Sequence, residues 1–382
     1  MTRKHLLAAA VLAAGAISSA SAEPVAYTVD CAKGQTIAAA LARGDARKPL
    51  TVFVRGTCNE YVQVTRDDVT LVGIPPGGAV RGPGNEAPAV HIQADRVFLQ
   101  DLDVSGGASA VIVGGPFFAS MTRVVVHHPA SGAAVVVRAG GDLGLDHCTL
   151  MNAGNGLQLG RGGSARVIGG TEIRDNAGSG IYASGNSTFV VGGDTKILNN
   201  AQHGIQLEDG SQGNVSGTEI AGNRNGVQAT ASTVNIAGGN SIHDNREHGV
   251  LAQAGASATV TGNTISLNGR MGVFGYLGAN VVLRGTEIDH NGETGVYCRA
   301  DCTLQVSGAN IHDNMHHAVL VMLGSRAIFT APVTRATGNG YFTADLRCGD
   351  DETSVDGVDG LSVDGDDFFD GTVDERCTGF DD

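Results

Sequence analysis

The sequence predicts an all-β chain whose coils stack on one another as a parallel β-solenoid. The first observation is a phrase that recurs about every 23 residues and places an Ile three positions before an Asn, as in Ile242 and Asn245. The second is composition. The 382 residues include 57 Gly without the period of collagen, no Trp and 4% aromatic residues, so the core must be built from Val, Ile, Leu and Ala. The third is that each period holds three short apolar segments separated by Gly and Asn, which is typical of three strands and three turns.

The repeated positions form columns that predict how the coils stack. The anchoring isoleucines are Ile173, Ile197, Ile220, Ile242, Ile265, Ile288 and Ile311. The Asn residues that follow them are Asn176, Asn200, Asn223, Asn245, Asn268, Asn291 and Asn314. No unit can bury its apolar positions alone, so stacking in register must place each column on its own copies. Asn side chains at the ~4.8 Å strand spacing can then hydrogen-bond as a ladder. A Gly follows each Asn until Ala318 replaces it in the last copy, and this column is expected to supply turn conformations that a Cβ forbids.

Composition divides the chain into four segments. Residues 1–22 carry a basic start, an apolar run and small residues before Ala22, which predicts a cleaved signal peptide. Residues 23–50 are expected to form an N-terminal cap, with a short helix beginning after Thr36 as its N-cap. Residues 51–345 are expected to form the solenoid, with room for about twelve coils, and residues 346–382 an acidic C-terminal segment that caps its other end. No later stretch reaches the length of a membrane span. Together with the predicted signal peptide, this leads us to expect an exported protein, periplasmic or extracellular.

Export makes the cysteines interpretable, because disulfides form and persist in oxidising compartments. The seven Cys show no Cys-x-x-Cys redox motif. Their spacing suggests three disulfides and one buried thiol: Cys31 with Cys58, Cys298 with Cys302, Cys348 with Cys377, and Cys148 unpaired.

The net charge of −14 excludes a basic nucleic-acid binder, and much of it lies in the C-terminal segment. Residues 349–382 contain eleven Asp, two Glu and one Arg, with several Asp-Gly pairs that favour turns. One interpretation is a solvated acidic segment. The other is a Ca²⁺ site, since oxygen-rich turns can hold this cation. The candidate Ca²⁺ ligands are Asp364, Asp366, Asp367 and Asp370.

Two parts of the chain resemble a known group of proteins. The segment Val29–Gly34, with Val54–Cys58 and Val69–Gly73 after it, is similar to the N-terminal part of exported right-handed parallel β-helix repeat proteins. The Ile-x-x-Asn phrases followed by Gly-Val resemble the repeats of the pectin-lyase-like superfamily. This resemblance covers nearly the whole mature chain and implies a right-handed parallel β-helix. It implies a fold rather than an activity, because relatives include polysaccharide lyases, polygalacturonases, uronan epimerases, tailspikes and non-catalytic proteins.

The catalytic motifs of these relatives mostly do not transfer to this sequence. Of the polygalacturonase segments, only Gln202-His203-Gly204 approaches the Gly-His-Gly motif, and the epimerase Asp-Pro-His motif is absent. Outside the signal peptide the chain has only three Lys, so a Lys base is unexpected and Arg, His or Tyr would have to serve.

Outward-facing columns carry the candidate functional residues. Phe274, Tyr276 and Tyr297 predict either an aromatic shelf for a sugar ring or simple stacking between neighbouring strands. Glu247, Arg270, Glu293 and His316 occupy one position in successive coils, which predicts an ion-pair ladder.

One pair of adjacent coils carries His and Asp in a crossed order. In-register stacking is expected to set Asp289 beside His312 and His290 beside Asp313, which suits an acid/base pair or a transition-metal ligand set. The alternative is turn chemistry, because a His-Asp-Asn phrase also occurs two coils earlier. The reserve candidates on the neighbouring stripe are Arg246, His248 and His317.

Three classes of function remain open. The first is processing of an acidic polysaccharide by a lyase or epimerase, which requires a basic residue in a groove. The second is non-catalytic glycan binding or adhesion, which requires an exposed aromatic or polar stripe. The third is a structural rod that presents an apolar lateral patch to a protein partner. We expect a glycan-related role.

Overall fold

The structure is a computed structural model that describes residues 25–84, 87–127, 132–138, 140–340, 345–349 and 353–364. Within these residues the strands form two parallel sheets, one of 27 strands and one of 13 strands. The predicted all-β parallel solenoid is therefore confirmed, with thirteen rows in the smaller sheet where about twelve coils were expected. None of the helices in these ranges has the length and apolar character needed to cross a bilayer.

Each regular coil contributes two strands to the 27-stranded sheet and one strand to the 13-stranded sheet. The first strands of the coils are Val25–Asp30, Leu50–Asn59, Val69–Arg81, Val97–Gln100, Phe118–Thr122, Asp142–Asp146, Ser164–Ile168, Thr188–Val191, Gln212–Val215, Thr233–Ala237, Ser257–Thr261, Asn280–Arg284, Thr303–Ser307, Arg326–Thr330 and Ser354–Asp356. The second strands are Leu102–Ser105, Val125–His127, Thr149–Met151, Glu172–Arg174, Lys196–Leu198, Glu219–Ala221, Ser241–His243, Thr264–Ser266, Glu287–Asp289, Asn310–His312, Thr334–Thr337 and Leu361–Asp364. The third strands are Val62–Val64, Val90–Ile92, Val111–Val113, Val135–Val137, Leu157–Leu159, Ile181–Ala183, Ile205–Leu207, Val227–Thr230, Val250–Gln253, Val273–Tyr276, Val296–Arg299, Val319–Met322 and Leu346–Cys348.

The core consists of aliphatic columns that run along the solenoid. Ile242 pairs in register with Ile220 in the preceding coil and with Ile265 in the next, and all three side chains are fully buried. Burial of one such side chain contributes about 1.5–3 kcal/mol, and stacking repeats this gain in every coil. The repeat seen in the sequence is therefore the register of the sheet.

A buried Asn ladder joins the coils at the turn that follows the second strand. Asn245 donates from Nδ2 to Oδ1 of Asn268 at 2.9 Å, and the same contact recurs in the neighbouring coils. The ladder extends past the seven predicted residues, because Asn314 donates to Oδ1 of Asn339 at 2.9 Å. Asn339 in turn donates to Oδ1 of Asp345 at 3.0 Å, which ends the ladder.

The Gly column beside the ladder is explained by space rather than by turn conformation. Gly226 does not have a positive φ, but a Cβ there would lie 2.5 Å from Cγ2 of Ile242 and 2.6 Å from the carbonyl oxygen of Gly249. The expectation that this column supplies turn conformations is therefore corrected. Glycine is needed because the backbone passes directly against the next coil.

The N-terminal part of the chain covers the first coil. The helix Ile37–Leu41 begins after Thr36, whose hydroxyl accepts a hydrogen bond from the N–H of Ala39 at 3.2 Å. The Glu60 carboxylate accepts from the N–H groups of Ile37 at 2.7 Å and Ala38 at 3.1 Å, which satisfies further donors of the helix start. A 3₁₀ turn over Cys31–Lys33 precedes the helix, and the disulfide Cys31–Cys58 ties it to the solenoid.

The described part of the acidic C-terminal segment continues the solenoid. Leu346–Cys348, Ser354–Asp356 and Leu361–Asp364 pair in parallel with the three strands of the coil before them, and a 3₁₀ turn covers Val358–Gly360. The predicted signal peptide lies outside the described residues. So do Cys377 and three of the predicted Ca²⁺ ligands, Asp366, Asp367 and Asp370.

Candidate functional site

The predicted aromatic residues lie together on the outer face of the 13-stranded sheet. Phe274 pairs in register with Tyr297 on the next strand, and their ring centroids lie 5.1 Å apart with an interplanar angle of 11°. Tyr276 lies two residues after Phe274, with its ring centroid 5.6 Å from that of Phe274. Parallel strands in register bring such rings into contact, so the rings stack on one another along the solenoid axis.

A guanidinium group borders these rings. Arg299 lies on the strand of Tyr297, is exposed, and forms no ion pair with any residue that the structure describes. Tyr297 is 9% exposed, and burial raises the pKa of its hydroxyl, while the charge of Arg299 acts in the opposite direction. The Tyr297 hydroxyl donates to Sδ of Met322 at 3.3 Å. We call Phe274, Tyr276, Tyr297 and Arg299 the aromatic face.

His248 supports the aromatic face from the preceding coil. Its ring centroid lies 5.2 Å from that of Phe274, and the residue is only 4% exposed. Burial, with a smaller contribution from the charge of Arg270, lowers the pKa of His248 to about 4. Its Nδ1 accepts a long hydrogen bond, 3.4 Å, from the N–H of Met271. His248 is therefore a neutral packing residue at physiological pH.

The other two reserve candidates are held by the solenoid itself. His317 is buried in the same stripe as His248. Arg246 is exposed, and its Nη2 donates to the carbonyl oxygen of Ala201 at 2.5 Å.

Of the predicted ion-pair ladder, the described residues form the contact between Arg270 and Glu293, and Glu247 pairs instead with Arg224 of the preceding coil. Arg270 lies 3.0 Å from Glu293, and Arg224 lies 3.1 Å from Glu247. Both pairs are at the surface, where an ion pair contributes about 0–1 kcal/mol. Their positions account for Arg270 without a catalytic role.

The crossed His and Asp residues form a cluster on the 27-stranded sheet and its corner. Asp289 pairs in register with His312, as the sequence predicted. Each Nδ1, however, bonds within its own coil: His290 Nδ1 donates to Asp289 at 2.7 Å, and His312 Nδ1 donates to Asp313 at 2.6 Å. His290 and Asp313 both occupy the left-handed corner position, each with φ of 52°.

Glu287 completes this cluster and was missed by the sequence reasoning. Its carboxylate contacts Nε2 of His312 and also accepts from Nδ2 of Asn310 at 2.8 Å. Burial lowers the pKa of His312, but its hydrogen bonds to Asp313 and Glu287 more than offset burial, so the pKa is raised. Because both ring nitrogens bind carboxylates, His312 is held as a cation without a free nitrogen for proton transfer.

The same corner arrangement occurs in an earlier coil. His243 donates from Nδ1 to Asp244 at 2.7 Å and its Nε2 lies 3.6 Å from Glu219. Among the residues that the structure describes, no group of three or more His, Cys, Asp or Glu is arranged to hold a metal ion. The repetition favours a corner contact over a catalytic centre.

Exposed leucines mark two corners of the solenoid in a conformation that is unusual for them. Leu277, next to the aromatic face, has φ of 51° and is 50% exposed. Leu267, on the opposite side of its coil, has φ of 55° and is 55% exposed. The left-handed region costs most residues other than Gly and Asn about 1–2 kcal/mol. An exposed Leu side chain gains no burial that would offset this cost. The equivalent corners of neighbouring coils carry Ala300 and Leu323 in the column of Leu277, and Asp244, His290 and Asp313 in the column of Leu267, all with positive φ, so no repeated residue type indicated these leucines.

The sequence matches the family described as "Right handed beta helix region" over residues 84–236 and 209–344. Together the two matches cover more than half of the chain. The chain belongs to this family. Its β-helix is therefore right-handed, which agrees with the resemblance seen in the N-terminal segment and in the repeats.

Solved structures share the fold of this β-helix at low sequence identity. The Dettilon tailspike protein (gp208) is 14% identical with a TM-score of 0.50, and the match covers 70% of this chain and 60% of that chain. A mutant of the periplasmic alginate epimerase AlgG is also 14% identical with a TM-score of 0.50, and the match covers 87% of this chain and 84% of that chain. This chain thus spans well under two thirds of the tailspike chain. No curated protein sequence matches it.

Proposed function

We propose that this β-helix binds an acidic polysaccharide, a uronic-acid polymer, along the outer face of its 13-stranded sheet. The observation that carries the proposal is Arg299, a guanidinium without an ion-pair partner among the described residues, beside the stacked rings of Phe274 and Tyr297. Such a charge is conspicuous in a chain with a net charge of −14.

The aromatic face offers the two kinds of contact that a uronic acid needs. Ring edges and the outer surface of Tyr276 provide apolar area for the C–H groups of a pyranose. Arg299 provides a planar pair of donors that fits a carboxylate in two parallel hydrogen bonds. The rows of the sheet repeat along the solenoid axis, so a polymer lying along this axis meets successive strands.

Binding fits the described residues better than catalysis does. An acid/base reaction needs a group that can exchange a proton within reach of the substrate. His248 is covered by Phe274, and both nitrogens of His312 are bound to carboxylates. An alginate epimerase is among the solved structures with this fold, which supports a glycan-directed role without defining a substrate.

We also infer that the protein works outside the cytoplasm. Among the described residues, Cys31–Cys58 and Cys298–Cys302 form disulfides, while Cys148 is a buried free thiol. Disulfides of this kind persist in oxidising compartments, in agreement with the predicted signal peptide.

The test compares two variants, each of which removes an arginine that forms no ion pair with the residues that the structure describes. Arg299→Gln removes the charge on the aromatic face, and Arg284→Gln removes an exposed charge on the other sheet. Binding of the purified chain to alginate, to polygalacturonate and to a neutral glucan is measured by isothermal titration calorimetry. We expect Arg299→Gln to weaken binding to one polyuronate about tenfold or more, because a charge-assisted hydrogen bond contributes about 1.5–3 kcal/mol. Arg284→Gln should bind normally.

Equal losses in both variants would show general electrostatic attraction and contradict the proposed site. Absence of binding to any polyuronate by the unmodified chain would contradict the function itself. The same solutions are followed by absorbance for an unsaturated product and by NMR for a change of configuration at C5. Either signal would show that the chain processes the polymer as well as binding it.

A second candidate function is presentation of a face to a protein partner. The observation that favours it is the exposed, left-handed leucines, Leu267 and Leu277, since such strain is commonly kept where it serves a contact. Loss of partner binding in Leu277→Asn, with polyuronate binding unchanged, would support this role.

A further inference from the structure

A notch lies on the outer face of the 27-stranded sheet, far along the chain from the aromatic face. Gly144 sits in the middle of the strand Asp142–Asp146, in register with Ser120 on one side and Arg166 on the other. Every one of these three positions faces outward, and only Gly144 has no side chain. Gly144 is one of the residues that line an open cavity of about 340 Å³.

The glycine is not required by the backbone. Gly144 does not have a positive φ, and a Cβ built on it would approach only the Ser120 side chain closely, at 3.3 Å from Oγ. Strand interiors normally lose stability with Gly, which often marks a place where a ligand approaches the backbone. The notch is therefore a feature that the stacking of coils does not explain.

The rim of the notch combines an aromatic ring, an aliphatic side chain, two carboxylates and a guanidinium. These groups belong to Phe118, Ile168, Asp142, Asp146 and Arg166. Phe118 is 37% exposed, and its ring is positioned by an edge contact with Phe98, with centroids 6.2 Å apart.

The polar rim groups are partly held in place and partly available. Asp142 accepts a hydrogen bond from the Ser164 hydroxyl at 2.6 Å, and Asp146 accepts from Nδ1 of His147 at 2.8 Å. Each carboxylate keeps a second oxygen for another donor. Arg166 is exposed and forms no ion pair with the residues that the structure describes.

The arrangement selects against ions. Asp142 and Asp146 are four residues apart on one strand, about 13 Å between backbones, which is too far for both to hold one cation. Two carboxylates to one guanidinium give the rim a net negative charge, which disfavours an anion. A neutral ligand with several hydroxyls matches donors and acceptors that surround an apolar floor.

We propose that the notch binds a single neutral pyranose unit, a hexose, with its C–H face against Phe118 and Ile168. Its hydroxyls donate to Asp142 and Asp146 and accept from Arg166. A cavity of about 340 Å³ lies at the small end of the usual range for ligand sites, roughly 300–1,000 Å³, so it suits one ring rather than a chain. This site lies on the other sheet and does not depend on the proposed binding of a polyuronate.

The test fills the notch without disturbing the fold. Gly144→Val places a Val at this position, and the same row of the sheet already carries Val190 two coils further on. A β-branched residue suits a strand, so we expect an unchanged or higher melting temperature. Thr259→Val puts the same side chain in the same row of a distant coil and serves as the control.

Binding of methyl α- and β-glucosides, galactosides and mannosides to the full chain is measured by saturation-transfer NMR and calorimetry. We expect at least one hexoside to bind, with loss of tenfold or more in Gly144→Val and in Arg166→Gln, and no loss in Thr259→Val or Arg299→Gln. Absence of hexoside binding by the unmodified chain would overturn the proposal, as would equal binding by Gly144→Val. Should Gly144→Val fail to fold, Arg166→Gln decides alone. The Arg166 side chain is exposed and forms no ion pair with the described residues, so its replacement should leave the fold intact.

Discussion

The Asn ladder makes the stability of the solenoid depend on single buried side chains, and Asn245 tests this directly. Its Oδ1 accepts from the N–H of Asn223 at 3.0 Å and from Nδ2 of Asn223 at 3.2 Å. Its Nδ2 donates to the carbonyl oxygen of Ile220 at 3.2 Å and to Oδ1 of Asn268 at 2.9 Å. Asn245 is 1% exposed, so water cannot replace these partners. Asn245→Leu removes all four hydrogen bonds at nearly constant size.

The four lost contacts do not cost the same. Nδ2 of Asn223 also donates to the carbonyl oxygens of Ile197 and Ala221, and Oδ1 of Asn268 keeps the N–H of residue 245. The N–H of Asn223 has no other acceptor and is left unpaired, which costs about 1–3 kcal/mol, while each of the other three contacts contributes about 0.5–1.5 kcal/mol. We therefore expect Asn245→Leu to lower the free energy of unfolding by roughly 2.5–7.5 kcal/mol.

Urea unfolding followed by far-UV circular dichroism measures this loss. The control is Asn235→Leu, because Asn235 is an exposed Asn in the same part of the solenoid, whose Nδ2 donates to Asn214 at 3.3 Å. An exposed substitution of this kind should stay within about 0.5 kcal/mol of the unmodified protein. Equal unfolding midpoints for the two variants would refute the reasoning, because the loss of a buried Asn of the ladder would then cost no more than the loss of an exposed Asn outside it.

Buried and paired histidines should give opposite pH dependences. The pKa of His248 is about 4 in the fold, below the unfolded value of 6.5, so its stabilisation is complete above pH 6.5 and is lost as pH falls towards 4. Urea midpoints of His248→Asn should vary less across that window, and an unchanged slope would contradict burial as the cause. His312 has a raised pKa, so its contribution is complete below pH 6.5 and is lost as pH rises through its folded pKa. His312→Gln should lose stability at acidic pH and little at alkaline pH, and a uniform loss would argue against the ion pairs. Leu277→Asn and Leu267→Asn should each raise stability by about 1 kcal/mol, because Asn tolerates the left-handed region, and a lower melting temperature would show that these leucines pack against the fold.

The fold could be predicted because one physical requirement repeats along the chain. A coil buries its apolar residues only against its own copies, so a column such as Ile220, Ile242 and Ile265 must recur at a fixed spacing. The prediction missed Asn339, because Ala336 stands in place of the anchoring Ile in that coil. A change of a single column residue was enough to hide one member of the ladder, although the predicted solenoid range already included its coil.

The contacts at the corners could be predicted only in part. Register alone places Asp289 beside His312, and the sequence is sufficient for that. Which partner each ring takes depends on side-chain conformation and on competing acceptors. His312 takes its own neighbour Asp313 and reaches Glu287 in the preceding coil. The repeat of a column predicts which residues lie side by side in neighbouring coils. It does not predict which way each side chain points, and therefore not which acceptor each ring takes.

The regularity of the solenoid gives a criterion for where its function lies. A residue that follows its column is explained by stacking, so the Asn ladder and the paired charges of Arg270 and Glu293 need no further role. A residue that departs from its column without a packing reason needs another explanation. Gly144 leaves a gap where its row has side chains, and Arg299, beside the stacked rings, forms no ion pair within the described part of the chain. These departures lie on different sheets. The hexoside and polyuronate experiments therefore test two independent surfaces, and each can fail without the other.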